Sequence, residues 1–311
     1  MKWITANNLD QWADTLPARV VFPEMIGDLV RASASEITSF RFPNGDKGQV
    51  RGFDGYLNAM GMPPHVPDGL SIWEFGVSSD AISKADDDYL KRTKEVPPTT
   101  RADATFVFAT PRTWNKNSKI TDWVLDKRGL NQWKSVEFID GSMLEDWLSD
   151  HPAVASRYAR YHLKSAPQQG AFSTDEFWDE FSTRFEPPVV EEVLLAGREK
   201  QATTLLRQLS EGGGRIQFAA DSPDEVIAFA VAVIRKAEPE VRVFLENRTL
   251  VIESADAARF FANKENLIFL PKGQARDLTG LLARSGPTII SAGADEKRLR
   301  SSARIDSELA D

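Results

Sequence analysis

Gly52-Phe-Asp-Gly-Tyr56, followed by Leu70-Ser-Ile-Trp-Glu-Phe-Gly-Val77, is the stretch from which the fold is read. Each segment has the aromatic and β-branched content of a strand and is punctuated by glycine. The first strand is expected over 49–57 and the second over 70–77. A loop at 58–69 separates them, marked by Pro63, Pro64 and Pro67. Asp54 and Glu74 therefore fall on neighbouring strands. Trp73 and Phe75 alternate with Glu74, which places Glu74 on the opposite strand face, at an open functional rim or at the surface.

The pattern extends outward from this pair. An apolar stripe at helical spacing over 16–34 predicts a helix, and 37–42 a strand. Ser79 or Asp80 caps a helix running to about Lys94. Thr105-Phe-Val-Phe-Ala-Thr110 reads as a buried strand, 118–128 as a helix and 135–139 as a strand. Helices at 142–149 and 152–163 close a first domain over 1–165. A helix, a three-strand meander and crossover helices with further strands predict a mixed sheet flanked by helices.

Residues 166–193 read as a linker. It is rich in breakers at first and helical after Phe172, with Ser173 or Thr174 as cap. A second domain follows over 194–311. Its expected strands are 215–220, 241–245, 249–252, 266–270 and 287–290. Its helices are 196–209, 222–236, 254–263 and 275–284, with Ser222, Pro223 and Glu225 opening the second of these. Such alternation predicts a mostly parallel, Rossmann-like sheet.

Composition bounds the chemistry. The 311 residues suffice for two domains, and 41% hydrophobic residues give each a core. The lack of cysteine excludes disulfides, thiol nucleophiles and thiolate metal sites, and suits a cytoplasmic setting. No segment approaches the roughly 20 apolar residues that span a bilayer, so no membrane role is expected. The net charge of −8 argues against sequence-blind coating of nucleic acid. It leaves room for a metal that draws a phosphate into an acidic pocket. Lys84, Lys91, Arg92, Lys94, Arg101, Arg112, Lys116 and Lys119 form either a basic docking patch beside that pocket or a solvated surface.

Two strand carboxylates with lysines close behind are what a Mg²⁺- or Mn²⁺-dependent phosphodiesterase needs. The metal polarises the phosphate and acidifies its water, and a lysine steadies the developing charge. Asp54 and Glu74 fit the metal-ligand role, and glycines at 52 and 55 flank Asp54. His65, in the loop between the two strands, is either near the site or merely exposed. No Gly-x-Ser-x-Gly elbow is present.

Gly-Phe-Asp-Gly and Trp-Glu-Phe-Gly, followed by the Lys84-x-x-x-Asp88-x-x-Lys91 helix, resemble the PD-(D/E)XK, or restriction-endonuclease-like, superfamily. More narrowly, about residues 20–150 resemble the N-terminal domain of large bacterial antiviral STAND NTPase-type proteins. The resemblance implies an αβββαβ core and Mg²⁺ or Mn²⁺ on Asp54 and Glu74. The catalytic lysine of that pattern stands two residues after the Glu, where this chain has Gly76. Two readings follow. Either the lysine has moved onto the next helix, with Lys84 the first candidate and Lys91 the second, or catalysis is lost. Glu24 or Glu36 supplies a further carboxylate in such a site or is a surface residue. Tyr89 is a phosphate donor or packs on the sheet.

In the second domain a phosphate-binding loop would follow the strand at 215–220 as Gly-x-x-x-x-Gly-Lys-Ser/Thr. The chain reads Ala219-Ala-Asp-Ser-Pro-Asp-Glu-Val226, with no lysine and with Asp221, Asp224 and Glu225 set to repel a triphosphate. This domain resembles a P-loop-like domain without its Walker A motif, in which Arg198 is structural. The expectation is a DNA endonuclease effector with catalytic Asp54, Glu74 and Lys84 joined to a module that is not an ATPase. The alternative is a catalytically inactive nuclease-like domain that binds or oligomerises. Expected partners are DNA, further copies of the chain, and a C-terminal sensor region or partner protein.

Overall fold

The computed structural model describes residues 2–42, 52–114, 119–165, 170–212 and 214–293. The chain divides into two compact units. One comprises Lys2–His151 with Tyr158–Ser165, the other Pro152–Arg157 with Ala166–Asp311.

The N-terminal unit opens with α1 (Ala6–Trp12) and α2 (Ala18–Ser33), then β1 (Ser35–Arg41), β2 (Gly55–Met60) and β3 (Gly69–Phe75). After these come α3 (Ala81–Glu95), α4 (Pro98–Asp103), β4 (Ala104–Ala109), α5 (Ile120–Gly129), β5 (Ser135–Ile139) and α6 (Gly141–Asp150). The residues of the next helix, α7 (Pro152–Tyr161), are divided between the two units. The sheet order is β1-β2-β3-β4-β5. The first three strands form an antiparallel meander, and β4 and β5 add in parallel beyond β3. Parallel pairing needs crossover connections, and the helices on those connections cover the sheet.

Edge strand β1 is largely exposed, but at β3 and β4 both faces of the sheet are covered. On one, Ile72, Phe106, Phe108 and Phe138 pack with Ala85 and Tyr89 of α3 and with Trp123 of α5. On the other, Trp73 and Phe75 meet Phe42 at ring separations of 5.6 and 6.1 Å, and Phe22 of α2 lies 5.7 Å from Phe75. The strand expected over 49–57 begins only at Gly55, so Asp54 stands in the turn before β2 and not within a strand. Residues 43–51, and Lys116 of the basic patch, lie outside the described residues.

The C-terminal unit contains β6 (Ala171–Phe172), α8 (Thr174–Ser182), α9 (Glu191–Leu195), α10 (Glu199–Glu211), β7 (Arg215–Ala219) and α11 (Pro223–Arg235). It continues with α12 (Pro239–Glu246), β8 (Thr249–Ile252), α13 (Ala255–Phe261), β9 (Ile268–Pro271), a 3₁₀ turn (Gly273–Leu278), α14 (Thr279–Leu282) and β10 (Thr288–Ala292). The sheet order is β6-β8-β9-β10-β7, parallel throughout except for β6. Helix α11 is buried at every residue from Val226 to Ile234 and forms the centre of this core.

Two expectations are corrected here. The stretch 241–245 is not a strand but part of α12. Its Val-Arg-Val-Phe-Leu alternation suits either state, but Pro239 at the first turn and Glu240 beside it start a helix. Residues 170–193 are not a free linker. Strand β6 pairs with β8, and Phe177, Trp178 and Phe181 of α8 are buried in the core. Their spacing is that of one helix face, so the segment has an apolar stripe to bury. No described helix is long and apolar enough to cross a membrane.

Candidate active site on the third strand

Asp54 and Glu74 are brought together by the β2–β3 pairing, in which Gly55 faces Trp73. Gly55 is required for that approach, because a Cβ there would meet Phe42 Cε1 and Trp73 Cβ at 2.9 Å each. Asp54 Oδ2 accepts the Phe75 N–H at 3.1 Å, which fixes the aspartate beside the end of β3.

Glu74 is neither at a rim nor on the surface. It is 2% exposed, because α3 lies over the strand face that it shares with Ile72. Arg92 of α3, also buried, forks onto it. Arg92 Nε donates to Oε1, and Nη2 donates to Oε2 at 3.1 Å. The same Nη2 donates to the Gly52 carbonyl at 2.7 Å, and Nη1 reaches Glu95 Oε2 at 2.5 Å. The guanidinium also lies 5.6 Å from the centre of the Phe53 ring.

The electrostatics follow from burial. Desolvation pushes Glu74 up to about 7; the Arg92 hydrogen bonds pull the other way, and Asp54 and Asp88 add to the rise. Asp88, buried on α3, is raised for the same first reason, opposed by its bonds to Lys84 and reinforced by Asp54. Burial works against the Arg92 charge, but its bonds to Glu74 and Glu95 outweigh this and hold the pKa above its ordinary value. Asp54, Glu74 and Asp88 thus form one repelling carboxylate group, tempered by Arg92 and Lys84.

Lys84 reaches this group from the first turns of α3. Its Nζ donates to Asp88 Oδ1 at 2.5 Å and to Oδ2 at 2.7 Å. Its stem runs past Gly76. A Cβ built on Gly76 would stand 3.1 Å from Lys84 Cγ and 2.6 Å from Phe108 Cζ. The place for a side chain two residues after Glu74 is therefore closed by the Phe108 ring and crossed by the Lys84 stem.

The remaining sequence candidates fall elsewhere. Tyr89 is fully buried, and its hydroxyl donates to Gln132 Oε1 at 3.0 Å, so it packs on the sheet. Glu36 is exposed on β1, and Glu24 is half-buried on α2. His65 is buried, not exposed, and stacks on Trp147 of α6 with centroids 5.2 Å apart. Of the basic patch, Lys91, Lys94 and Lys119 are exposed. Arg112 is committed to Asp14, the Asp10 carbonyl and the Val77 carbonyl, and Arg101 to the carbonyls of Val96 and Gln132.

The roles of Asp88, named only as part of the helix motif, and of Arg92, named only in the basic patch, escape the sequence reading. The signal that carries them is Lys84, Asp88 and Arg92 at intervals of four, a single helix face. The lysine-based reading picks Lys84 on that face first, but its second candidate, Lys91, is one position off it.

The donor chemistry fits a hard divalent cation. Among the described residues no three His, Asp or Glu side chains are arranged to hold a metal ion. Mg²⁺, however, commonly takes only one or two protein carboxylates and completes its shell with water and substrate phosphate. Asp54 and Glu74 are the two carboxylates that the β2–β3 pairing brings close together here. A carboxylate has about four lone-pair sites, and the bidentate Arg92 fork uses one on each Glu74 oxygen, leaving the others for a cation.

In the C-terminal unit the N-terminus of α11 is filled by the chain itself. Ser222 Oγ accepts the Glu225 N–H at 3.2 Å, Arg184 pairs with Asp224 at 3.0 Å, and Arg198 pairs with Glu225 at 3.2 Å. No family model, no curated protein and no solved structure matches the chain.

Proposed function

We propose that the N-terminal unit is a metal-dependent DNA endonuclease of the restriction-endonuclease-like type, the effector module of a bacterial defence protein. The C-terminal unit is then a P-loop-like domain that does not hydrolyse ATP. The observation that carries the reading is the Lys84 stem, which passes through the space beside Gly76 where the resemblance sets a lysine side chain. A lysine on α3 thus reaches the acidic group from the helix and not from the strand. The meander followed by two parallel strands suits the same reading.

In this reading Asp54 and Glu74 hold Mg²⁺ or Mn²⁺, which when bound supplies a Lewis acid and an acidified water. The Phe75 N–H holds Asp54 in register, and Arg92 keeps Glu74 oriented despite its burial. Asp88 holds the Lys84 ammonium at the α3 side of the acidic group, from which it would offset charge building on the phosphate oxygens. The exposed Lys91, Lys94 and Lys119 remain for backbone phosphates.

A second reading, a nuclease-like domain that binds or oligomerises without cutting, is favoured by one feature. Glu74 already carries a full cationic partner in Arg92. Plasmid and single-stranded DNA incubated with Mg²⁺ or Mn²⁺, beside D54A, E74A and K84A, separates the two. Metal-dependent cutting lost in all three variants supports the nuclease with the displaced lysine. Intact DNA across metals and protein concentrations supports the silent module.

A further inference from the structure

We infer that Arg92 is a positioning residue that presets the metal-binding pair, by clamping the turn that carries Asp54 to the strand that carries Glu74. The inference rests on the metal-dependent reading of this site.

Three contacts of one side chain carry it. Arg92 forks onto both oxygens of Glu74, donates to the carbonyl of Gly52, and lies against the ring of Phe53. Gly52 and Phe53 are the two residues before Asp54. Gly52 has φ +141°, a conformation that L side chains rarely adopt. Arg92 therefore reaches both sides of the pair from a third element, α3. The turn is otherwise tied to β3 through the Asp54 bond to the Phe75 N–H. Arg92 itself is 4% exposed, and Glu95 engages its remaining amino group. A planar guanidinium can meet a carboxylate with two parallel bonds and a carbonyl with a further N–H. An ammonium on a flexible stem cannot reproduce this. Groups that orient metal ligands in this way typically contribute about 10–100-fold to metal affinity.

The test measures Mn²⁺ binding to the full chain by electron paramagnetic resonance titration. It also measures amide hydrogen exchange over 52–56 in metal-free protein, for wild type, R92K and E95Q. R92K is expected to bind Mn²⁺ about 10–100-fold more weakly and to exchange faster at Phe53–Gly55 with no metal present. E95Q leaves the fork on Glu74 in place and removes only the half-exposed partner, so a loss of about 2–5-fold is expected, the range of an exposed ion pair. If R92K does not fold, as judged by circular dichroism, the charge-neutral double variant R92M/E74Q is measured for exchange beside E74Q, since it leaves no unpaired buried charge: faster exchange at Phe53–Gly55 in the double variant supports the clamp, and equal exchange overturns it.

Unchanged affinity and unchanged exchange in the folded variants would overturn the inference while leaving the metal reading intact. Tighter binding by R92K would overturn it too, since Arg92 would then be a competitor of the metal. Wild-type protein that binds no Mn²⁺ removes the metal reading, and the inference with it.

Discussion

Lys84 Cγ lies 3.1 Å from the point where a Cβ on Gly76 would stand, so a residue on α3 occupies the space belonging to a residue at the end of β3. Glycine at 76 and lysine at 84 are two halves of one packing solution. Enlarging the first displaces the second.

Returning a lysine to position 76 is therefore expected to harm the fold. The Phe108 ring, 2.6 Å from where that Cβ would stand, is itself fully buried and has little room to give. G76A and G76K are expected to lose about 1–3 kcal/mol, the usual cost of overpacking. Urea unfolding monitored by tryptophan fluorescence measures this. A G76K protein as stable as wild type would mean that the space is open.

Removing Lys84 is expected to slow metal-dependent DNA cleavage by about 10²–10³-fold, the scale of one lost charge-stabilising donor. Asp88 is buried and takes both of its side-chain hydrogen bonds from Lys84, so K84M leaves it poorly compensated. The double variant K84M/D88N is expected to be more stable than K84M alone, yet no more active. Recovery of cleavage in the double variant would show that Lys84 matters only as a partner for Asp88.

Glu74 gives the fold a dependence on pH. Its value in the folded protein, about 7, exceeds the ordinary 4.5. The folded state thus holds more protons than the unfolded state between these values. The stability contributed by this group is fully present below about pH 4.5 and is lost as pH rises through about 7. E74Q, permanently neutral, is expected to flatten that part of the profile. Urea midpoints at intervals across this pH range check it, and parallel profiles for the two proteins would exclude Glu74 as the source.

His65 acts in the opposite sense. Burial lowers its pKa below 6.5, opposed by Asp150 and Asp146 of α6. The unfolded chain then takes up the proton first. The contribution of His65 is present above about pH 6.5 and is lost as pH falls through the lowered value. H65F keeps a ring to stack on Trp147 and is expected to remove this loss. Proton NMR of the imidazole should show a titration midpoint below the ordinary value; a midpoint above it counts against this account.

At the N-terminus of α11, Ser222 caps the first turn, and Asp224 and Glu225 are paired with Arg184 and Arg198. S222A is expected to cost about 1 kcal/mol through the lost cap. Mg·ATP is expected to give no saturable heat in calorimetry with wild-type protein. Saturable binding would overturn the reading of this end of the sheet.

How far the sequence carries these conclusions depends on the element. Strands β3 and β4 are legible because each is short, apolar and bounded by breakers. The alternating Trp73, Glu74 and Phe75 correctly separate two faces. What alternation cannot report is whether the second face is covered. Glu74 looks like a rim residue until α3 is laid across it. Stretch 241–245 fails for a related reason, since a period of two and a helical stripe agree over five residues and only Pro239 breaks the tie. Asp54 and Glu74 can be found as a pair because their segments are hydrogen-bonded neighbours. Arg92 cannot, because its importance depends on the side of α3 that turns inward, and Lys91 offers the same charge one residue away. The Phe177, Trp178 and Phe181 stripe is visible, but the breakers ahead of it favour a linker.

Helix α11 differs in kind from its neighbour α10. Along α10 only Leu205 and Leu209 are fully buried, with Ala202 and Leu206 partly buried against the same core, so the exposed positions between them tolerate polar exchange. From Val226 to Ile234 every position of α11 is buried. A saturation-mutagenesis map of the two helices should therefore look unlike. Helix α10 should give a sparse periodic trace, and α11 an unbroken block in which charge is rejected at each step and size is tolerated only within narrow limits. Sequence drift in the C-terminal unit has nine consecutive positions at which volume, more than chemistry, sets what is admitted.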